Sequence, residues 1–235
     1  MEKTKIIGII GAMESETAEI KKVISIEKTV KIAGMEFTKG RLGKNTVVLS
    51  QCGVGKVFAA VCTQAMIMEF SPDLILNVGV CGAIDSELKL CDMIIGEKVV
   101  QYDMDTTAVG DPLGLISGIN RIYFDCDSDF SNACEDILKR KNINYKKGIV
   151  ATGDKFLNDS NLTENIRTNF GAISGDMESG AIGHVCYIND VPFGILRCAS
   201  DGGDEDSVSD YEKTLSYAAH IVFEVVSELC EENIL

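Results

Sequence analysis

Residues 5–16 read KIIGIIGAMESE, an apolar run that ends at Gly11 and is followed by two glutamates, at positions 14 and 16. A short, continuously apolar run that stops at a glycine is typical of a strand buried on both faces of a parallel sheet. Glu14 and Glu16 then open a segment with helical character over Glu14–Val23, where acidic residues in the first turn favour a helix N-terminus. A buried strand that leads directly into a helix is the repeating unit of an α/β fold.

The same alternation of apolar strands and helices continues along the chain, and no proline-rich or low-complexity linker interrupts it. We therefore predict one α/β domain over residues 1–235, with a mixed, largely parallel central β-sheet flanked by helices. The predicted strands are residues 5–10, 30–38, 45–52, 74–80, 93–100, 148–152 and 193–199. The predicted helices are residues 14–23, 56–70, 132–141, 162–170, 177–187 and 211–230.

Charge and hydropathy exclude several classes of protein. The chain has 22 Lys and Arg residues against 36 Asp and Glu residues, which gives a formal net charge of −14. A polyphosphate or an anionic membrane surface needs clustered cations, so we expect neither nucleic acid nor a membrane as a partner. No apolar run reaches the roughly 18 residues that a membrane-spanning helix requires.

Cysteine usage and the first residues indicate a reducing compartment. The nine cysteines are an odd number, and because none forms a Cys-x-x-Cys pair, a zinc ribbon is excluded. The apolar run that begins at residue 5 is too short and too soon acidic for a signal peptide. We therefore expect a cytoplasmic protein whose cysteines pack as small apolar residues.

Familiar cofactor motifs are incomplete in this sequence. Lys56 after Gly55 suggests a phosphate-binding loop, but Ser50 stands where that motif needs its first glycine. GIIG at residues 8–11 lacks the third glycine of the dinucleotide fingerprint, and DCDSD at residues 125–129 is not followed by the glycine of a calcium loop. We therefore expect no metal and no organic cofactor.

Carboxylates recur in the turns where strands end, at Glu16, Glu178 and Asp201. Taken singly, each of them also fits a helix cap or a helix N-terminal charge. Ligands of α/β sheets bind at the carboxyl ends of the strands, so together the three predict a convergent acidic crevice. Such a crevice suits general acid and base catalysis, in which one carboxyl group is held in its protonated form.

Five blocks of sequence carry a resemblance to a known family. They are IIGAMESE at residues 9–16, GVGKV at 53–57, ATGDKF at 151–156, ME at 177–178 and RCASD at 197–201. In this order and at these separations they resemble the nucleoside phosphorylase/hydrolase superfamily, and within it most closely the 5′-methylthioadenosine/S-adenosylhomocysteine nucleosidases. The resemblance runs from residue 5 to about residue 229 and implies the single-domain fold of the nucleoside phosphorylases.

The resemblance implies hydrolysis of the N-glycosidic bond of 5′-methylthioadenosine and S-adenosylhomocysteine, with release of adenine and the thioribose. Glu16 would activate the attacking water, Asp201 would protonate N7 of adenine, and Glu178 would bind the ribose hydroxyls. These residue types suit the reaction, because the bond breaks through an oxocarbenium-like state and adenine leaves poorly as an anion unless it is protonated.

The other residues implied by the resemblance bind substrate. Phe156 would stack on the base while the backbone of Leu157 reads its edge, and Arg197 would lie near the water and the ribose. The further substrate-binding residues are Met13, Val54, Val80, Met177, Ser200 and Tyr211. The resemblance also implies a homodimer, in which a loop at residues 102–110 of one subunit closes the 5′-thio pocket of the other.

Three departures from the family pattern leave alternatives open, and one of them is the loop at residues 102–118, which carries DPLG at residues 111–114. VGVCGA at residues 78–83 replaces the common Thr-Gly-Ser-Ala-Gly-Gly run, so Val80 lacks a hydroxyl, and Asp176 stands where Glu is more frequent. One alternative is a nucleosidase for another 5′ substituent, such as 5′-deoxyadenosine or aminofutalosine. A second is a purine or uridine phosphorylase, although the glycine turns carry no arginine to bind phosphate. A third is a nucleoside-binding module without catalysis.

Overall fold

The computed structural model describes residues 5–231, and one mixed β-sheet runs through this part of the chain. The strands are β1 (Ile6–Gly11), β2 (Ser25–Ile32), β3 (Met35–Leu42), β4 (Asn45–Gln51), β5 (Leu74–Ala83), β6 (Met93–Gln101), β7 (Tyr123–Asp125), β8 (Tyr145–Thr152), β9 (Ala172–Asp176) and β10 (Phe193–Asp201). The helices are α1 (Glu14–Val23), α2 (Lys56–Phe70), α3 (Ser128–Lys141), α4 (Ser160–Phe170), α5 (Ser179–Ile188) and α6 (Ser207–Glu231). The predicted α/β fold with a mixed sheet flanked by helices is confirmed.

The sheet has a parallel centre and antiparallel margins. β1 pairs in parallel with β4 and β5, β10 pairs in parallel with β5, and β8 pairs in parallel with β6 and β9. The β2–β3–β4 ribbon and the β6–β10 pair are antiparallel. β5 and β9 meet only near their carboxyl ends, through Gly82–Gly175 and Ala83–Ser174. This contact closes a ring of five strands and brings the turns that follow β5 and β9 together.

Helices cover both faces of the sheet. On one face α1, α3 and α6 contribute Ile20, Ile137 and Val222 to a buried cluster. On the other face α2 and α5 contribute Met66 and Ile182. Burial of this much apolar surface on both faces fixes the sheet as a rigid platform for the loops at its edge. The bounds predicted for α1 and α2 are confirmed at both ends.

The prediction of one strand over residues 30–38 is wrong, because a hairpin lies there. Ala33 and Gly34 have φ angles of 49° and 85° and connect β2 to β3. Positive φ at both turn residues is what a tight two-residue hairpin requires. β2 is mostly exposed and carries charged residues at this margin of the sheet, so its sequence has no apolar run to reveal it.

Other observed elements differ from the predicted ones for local reasons. β7 and β9 were not predicted, because three and five residues are too short for a periodic signal. The predicted helix at residues 177–187 begins at Ser179, whereas α3 begins at Ser128 because Asp127 caps it, accepting a hydrogen bond from Phe130 N (2.8 Å). Among residues 5–231, no helix is long and apolar enough to cross a membrane.

Candidate active site

The turns at the carboxyl ends of the strands enclose a cavity of about 340 Å³. This is the edge of an α/β sheet where ligands bind. The cavity is lined by Ala12, Met13, Glu16, Val54, Val80, Cys81, Gly82, Lys155, Phe156, Leu157, Gly175, Asp176, Met177, Glu178, Ser200, Asp201 and Tyr211. Every residue predicted for the site is in this lining except Arg197, which lies buried behind the carboxylates.

Glu16, in the first turn of α1, is buried and held by three backbone N–H groups. Its Oε2 accepts hydrogen bonds from Ala12 N (2.7 Å) and Met13 N (2.9 Å), and its Oε1 accepts one from Val80 N (3.0 Å). Burial raises the pKa of Glu16 above the ordinary value, although Arg197 and the N–H groups oppose the shift. A carboxylate held in this way keeps one orientation and is more basic than an exposed one.

Gly79 makes room for this carboxylate. Its φ of 150° lies in the region that favours glycine, and a Cβ there would overlap the Glu16 carboxylate and lie 2.7 Å from Arg197 Nη1. The glycine turn at the end of β5 therefore allows the backbone to approach the buried acid closely.

Arg197, in the middle of β10, ties the buried carboxylates together. Its Nη2 lies 2.7 Å from Asp176 Oδ2 and 3.3 Å from Glu178 Oε2, and its Nη1 lies 3.8 Å from Glu16 Oε1. Nη2 also donates to Asn77 Oδ1 at 2.6 Å. One guanidinium shared among three carboxylates leaves the floor of the cavity acidic, with the cation already engaged by protein groups.

Asp176 and its partners form a buried polar network that the sequence did not reveal. Asp176 Oδ1 accepts a hydrogen bond from Thr152 Oγ1 (2.6 Å), and Asp176 Oδ2 accepts one from the Ser179 hydroxyl. Asn77 and Thr152 are fully buried within strands. A lone asparagine inside the apolar run LILNVGV was the available signal, because a buried polar side chain needs a partner.

Glu178 lies where the turn after β9 meets the N-terminus of α2. Its Oε1 accepts a hydrogen bond from Gly55 N at 2.9 Å, while Oε2 faces Arg197. Burial raises the pKa of Glu178, and neighbouring Asp176 and Glu16 raise it further against the effect of Arg197. The positive end of the α2 dipole adds to the attraction that holds this carboxylate at the cavity wall.

Asp201 is the last residue of β10, and its side chain lines the cavity. Its Oδ2 accepts a hydrogen bond from Ser200 Oγ (2.9 Å), and its Oδ1 accepts one from Gly203 N (3.1 Å). Burial raises its pKa above the ordinary aspartate value despite these donors. No cation contacts Asp201 within the described residues, so a proton is easier to keep here than at an exposed aspartate.

The mouth of the cavity is aromatic and apolar. The Phe156 and Tyr211 rings meet edge to face, with centroids 5.8 Å apart, and the Tyr211 hydroxyl lies 3.1 Å from Met13 Sδ. Such groups suit a planar base and an apolar substituent.

Burial raises the pKa values of the Cys52 and Cys81 thiols, which therefore stay protonated and pack as small residues. Across residues 5–231, no three His, Cys, Asp or Glu side chains form a group that could hold a metal ion.

Comparison with known proteins agrees with this geometry. Residues 6–231 match the family profile described as the phosphorylase superfamily. The chain is 37% identical over 224 residues to the 5′-methylthioadenosine/S-adenosylhomocysteine nucleosidase of Staphylococcus carnosus, and the match covers 95% of this chain and 98% of that protein. The chain belongs to the 5′-methylthioadenosine/S-adenosylhomocysteine nucleosidase family of the phosphorylase superfamily.

Solved structures of two enzymes with different printed activities share the fold of this chain. The Neisseria meningitidis 5′-methylthioadenosine/S-adenosylhomocysteine nucleosidase, solved in complex with methylthio-immucillin-A, has a TM-score of 0.93 at 30% identity, covering 97% of this chain and 99% of that one. The futalosine hydrolase of Helicobacter pylori has a TM-score of 0.93 at 26% identity, covering 97% and 98%.

Two of the three departures from the family pattern, Val80 and Asp176, have structural explanations. Val80 reaches Glu16 and Arg197 through its backbone, since its N–H donates to Glu16 Oε1 and its carbonyl accepts from Arg197 Nη1 (3.2 Å). These contacts need no side-chain hydroxyl. Asp176 is shorter than glutamate, yet it still reaches Arg197, and Thr152 donates to its other oxygen.

Proposed function

We propose that this chain hydrolyses the N-glycosidic bond of 5′-methylthioadenosine and S-adenosylhomocysteine, releasing adenine and the thioribose. The observation that carries the proposal is one cavity that holds three buried carboxyl groups of raised pKa, Glu16, Glu178 and Asp201, of which Asp201 has no cationic partner among the described residues. The curated relatives at 32–37% identity named for this activity support the choice of substrate.

Glu16 is the general base in this proposal. Three N–H donors fix the direction of its carboxylate, and burial makes it a stronger base than an exposed glutamate. In its ionised form it accepts a proton from water as the water adds to C1′ of the ribose. Arg197, through its contacts with Glu16 and Glu178, orients these carboxylates while it remains out of the cavity lining.

Asp201 is the general acid. Its raised pKa favours the protonated form, and the proton passes to N7 of adenine as the glycosidic bond lengthens. Ser200 and Gly203 hold the carboxyl group in place. The electron pair of the broken bond then remains on a neutral purine rather than on an anion.

Glu178 binds the ribose hydroxyls, and its negative charge, with that of Glu16, stabilises the positive charge that develops on the sugar. Phe156 stacks on the base and the Leu157 backbone reads its edge. The ribose and the 5′-thio group contact Met13, Val54, Val80, Met177 and Tyr211, which all line the cavity.

Adenine release is expected to be independent of phosphate. Among residues 5–231, Lys155 is the one basic side chain in the cavity lining, against Glu16, Asp176 and Glu178 even when Asp201 is protonated, so a phosphate dianion would meet net repulsion. The experiment measures adenine release from 5′-methylthioadenosine with and without added phosphate. Strict dependence on phosphate would instead establish a phosphorylase.

A nucleosidase for another 5′ substituent is the second candidate, because the futalosine hydrolase of H. pylori has the same fold. Comparison of kcat/KM for 5′-methylthioadenosine, 5′-deoxyadenosine and aminofutalosine separates the two. We expect the first to be the best substrate. Saturable binding without release of base from any of them would indicate a binding module.

We also propose that two copies of this chain form a homodimer through α2. The exposed side of that helix carries Val57, Phe58, Val61 and Met68, and Met68 has 77% of its surface accessible. An apolar face of this kind marks a contact surface. In the dimer, the loop at residues 102–110, with Val109 82% exposed, reaches the cavity of the other copy.

The dimer is tested by sedimentation equilibrium at micromolar concentration. We expect twice the 25.4 kDa chain mass for the native protein and the single mass for Val61→Glu. Val23→Glu is a matched control, because Val23 is 43% exposed and Val61 is 41% exposed, on different helices. A native protein that sediments only at the single mass would contradict the proposal.

We further propose a cytoplasmic location. All nine cysteines are free thiols, which persist in a reducing compartment.

A further inference from the structure

Three loops meet beside the cavity in a junction formed by Lys56, Asp103 and Asp154. Lys56 N donates to Asp154 Oδ1 at 2.8 Å, and Lys56 Nζ lies 2.6 Å from Asp103 Oδ1. Asp103 Oδ2 in turn accepts a hydrogen bond from Asp154 N at 3.1 Å. The three contacts form a closed circuit that links the N-terminus of α2, the loop after β6 and the loop after β8.

Two of these segments also carry a group that lines the cavity or holds a residue that lines it. Gly55, next to Lys56, donates its N–H to Glu178. Phe156 lies two residues beyond Asp154 and has 38% of its surface exposed. The junction therefore connects the backbone that holds the ribose-binding carboxylate with the loop that presents the aromatic ring.

The backbone is shaped for this contact. Gly55 has a φ of 102°, and a Cβ at this position would lie 3.0 Å from Asp154 Oδ1. The close approach thus depends on glycine. Asp154 and Glu178 accept from consecutive N–H groups at the positive end of α2, where carboxylates are favoured.

We propose that Asp154 is a positioning residue for the nucleosidase reaction: it fastens the Phe156 loop to the N-terminus of α2 and so sets the distance between the base-stacking ring and Glu178. This inference rests on the proposed function. Stacking of Phe156 on the base forms in the substrate complex as well as in the transition state, and Gly55 N still holds Glu178 when Asp154 is replaced. Loss of the anchor therefore weakens uniform binding, which raises KM more than it lowers kcat.

The test compares steady-state kinetics of the full chain with 5′-methylthioadenosine for the native protein and three variants. For Asp154→Ala we expect KM to rise about tenfold with kcat within about threefold, in the range of one lost hydrogen bond to a charged acceptor. Asp154→Asn keeps an oxygen that accepts from Lys56 N, so its KM should return to within about threefold of the native value.

Asp127→Ala is the matched control, because Asp127 also accepts one backbone N–H at a helix N-terminus, at 2.8 Å, but lies outside the cavity lining. Its melting temperature should fall with KM unchanged. If Asp154→Ala behaves in the same way, Asp154 is only a cap and the inference is overturned. If Asp154→Ala is insoluble, Asp103→Ala, which breaks two of the three contacts, must raise KM instead. Absence of adenine release by the native protein would overturn the proposed function itself.

Discussion

Replacing Glu16 by Gln is expected to lower adenine release from 5′-methylthioadenosine by about 10³-fold, within the range of a lost general base. An amide cannot take a proton from water at neutral pH. It also presents an NH₂ group where the carboxylate now accepts hydrogen bonds on both oxygens, from Ala12 and Met13 on one side and Val80 on the other. One of these N–H groups must then face another donor.

The pH profile identifies the role of Glu16. The base works only when ionised, and burial raises its pKa, so kcat/KM should fall as pH decreases through that raised pKa. Ionised Glu178 is also required, and burial raises its pKa to about 7, so the acidic limb should reflect two groups in the native protein and only Glu178 in Glu16→Gln. Glu14→Gln is the matched control, since Glu14 is exposed in the same helical turn and is not in the cavity lining. Turnover of Glu16→Gln within threefold of the control would remove Glu16 from the mechanism.

The fold was predictable because its signals are local. Apolar runs that end in glycine, such as residues 5–11, indicate buried strands, and sequence spacing predicts α1 and α2 at their observed bounds. The helices predicted at residues 132–141 and 211–230 each begin four residues earlier in the structure. The hairpin at Ala33 and Gly34 was missed because its turn conformation, not its apolar pattern, separates β2 from β3. β9 was missed because its place depends on pairing with β8 and with the end of β5.

In the site, as in the fold, some features were predictable from local sequence and others depend on strand pairing. The prediction that turns at the strand ends converge needed only the rule for parallel strands, and the cavity lies there. The roles assigned to individual residues stay predictions. The network of Asn77, Thr152, Asp176, Ser179 and Arg197 had one local signal, the lone asparagine in the apolar run of β5, and that signal does not identify the partners of Asn77. These residues come from four strands and one helix, and only the register of β5 with β10 and of β8 with β9 brings them together.

Replacing Asp201 by Asn is expected to lower turnover of adenine substrates by two or more decades, because an amide has no carboxyl proton to donate. The loss should depend on the leaving group. A 4-nitrophenyl 5-methylthioriboside releases an anion that is stable without protonation, so Asp201→Asn should hydrolyse it nearly as well as the native protein does. Glu16→Gln should remain impaired on both substrates, because both require activated water.

The alkaline limb of the pH profile tests the assignment of Asp201 as the general acid. The acid works only when protonated, and burial raises its pKa, so kcat/KM on adenine substrates should fall as pH rises through that value. Asp201→Asn should lack this limb, whereas Asp206→Asn, an exposed aspartate in the same loop, should keep it. Equal losses on the two leaving groups would show that Asp201 does not protonate the base. Ser200 and Gly203 would then hold a carboxylate that serves binding alone.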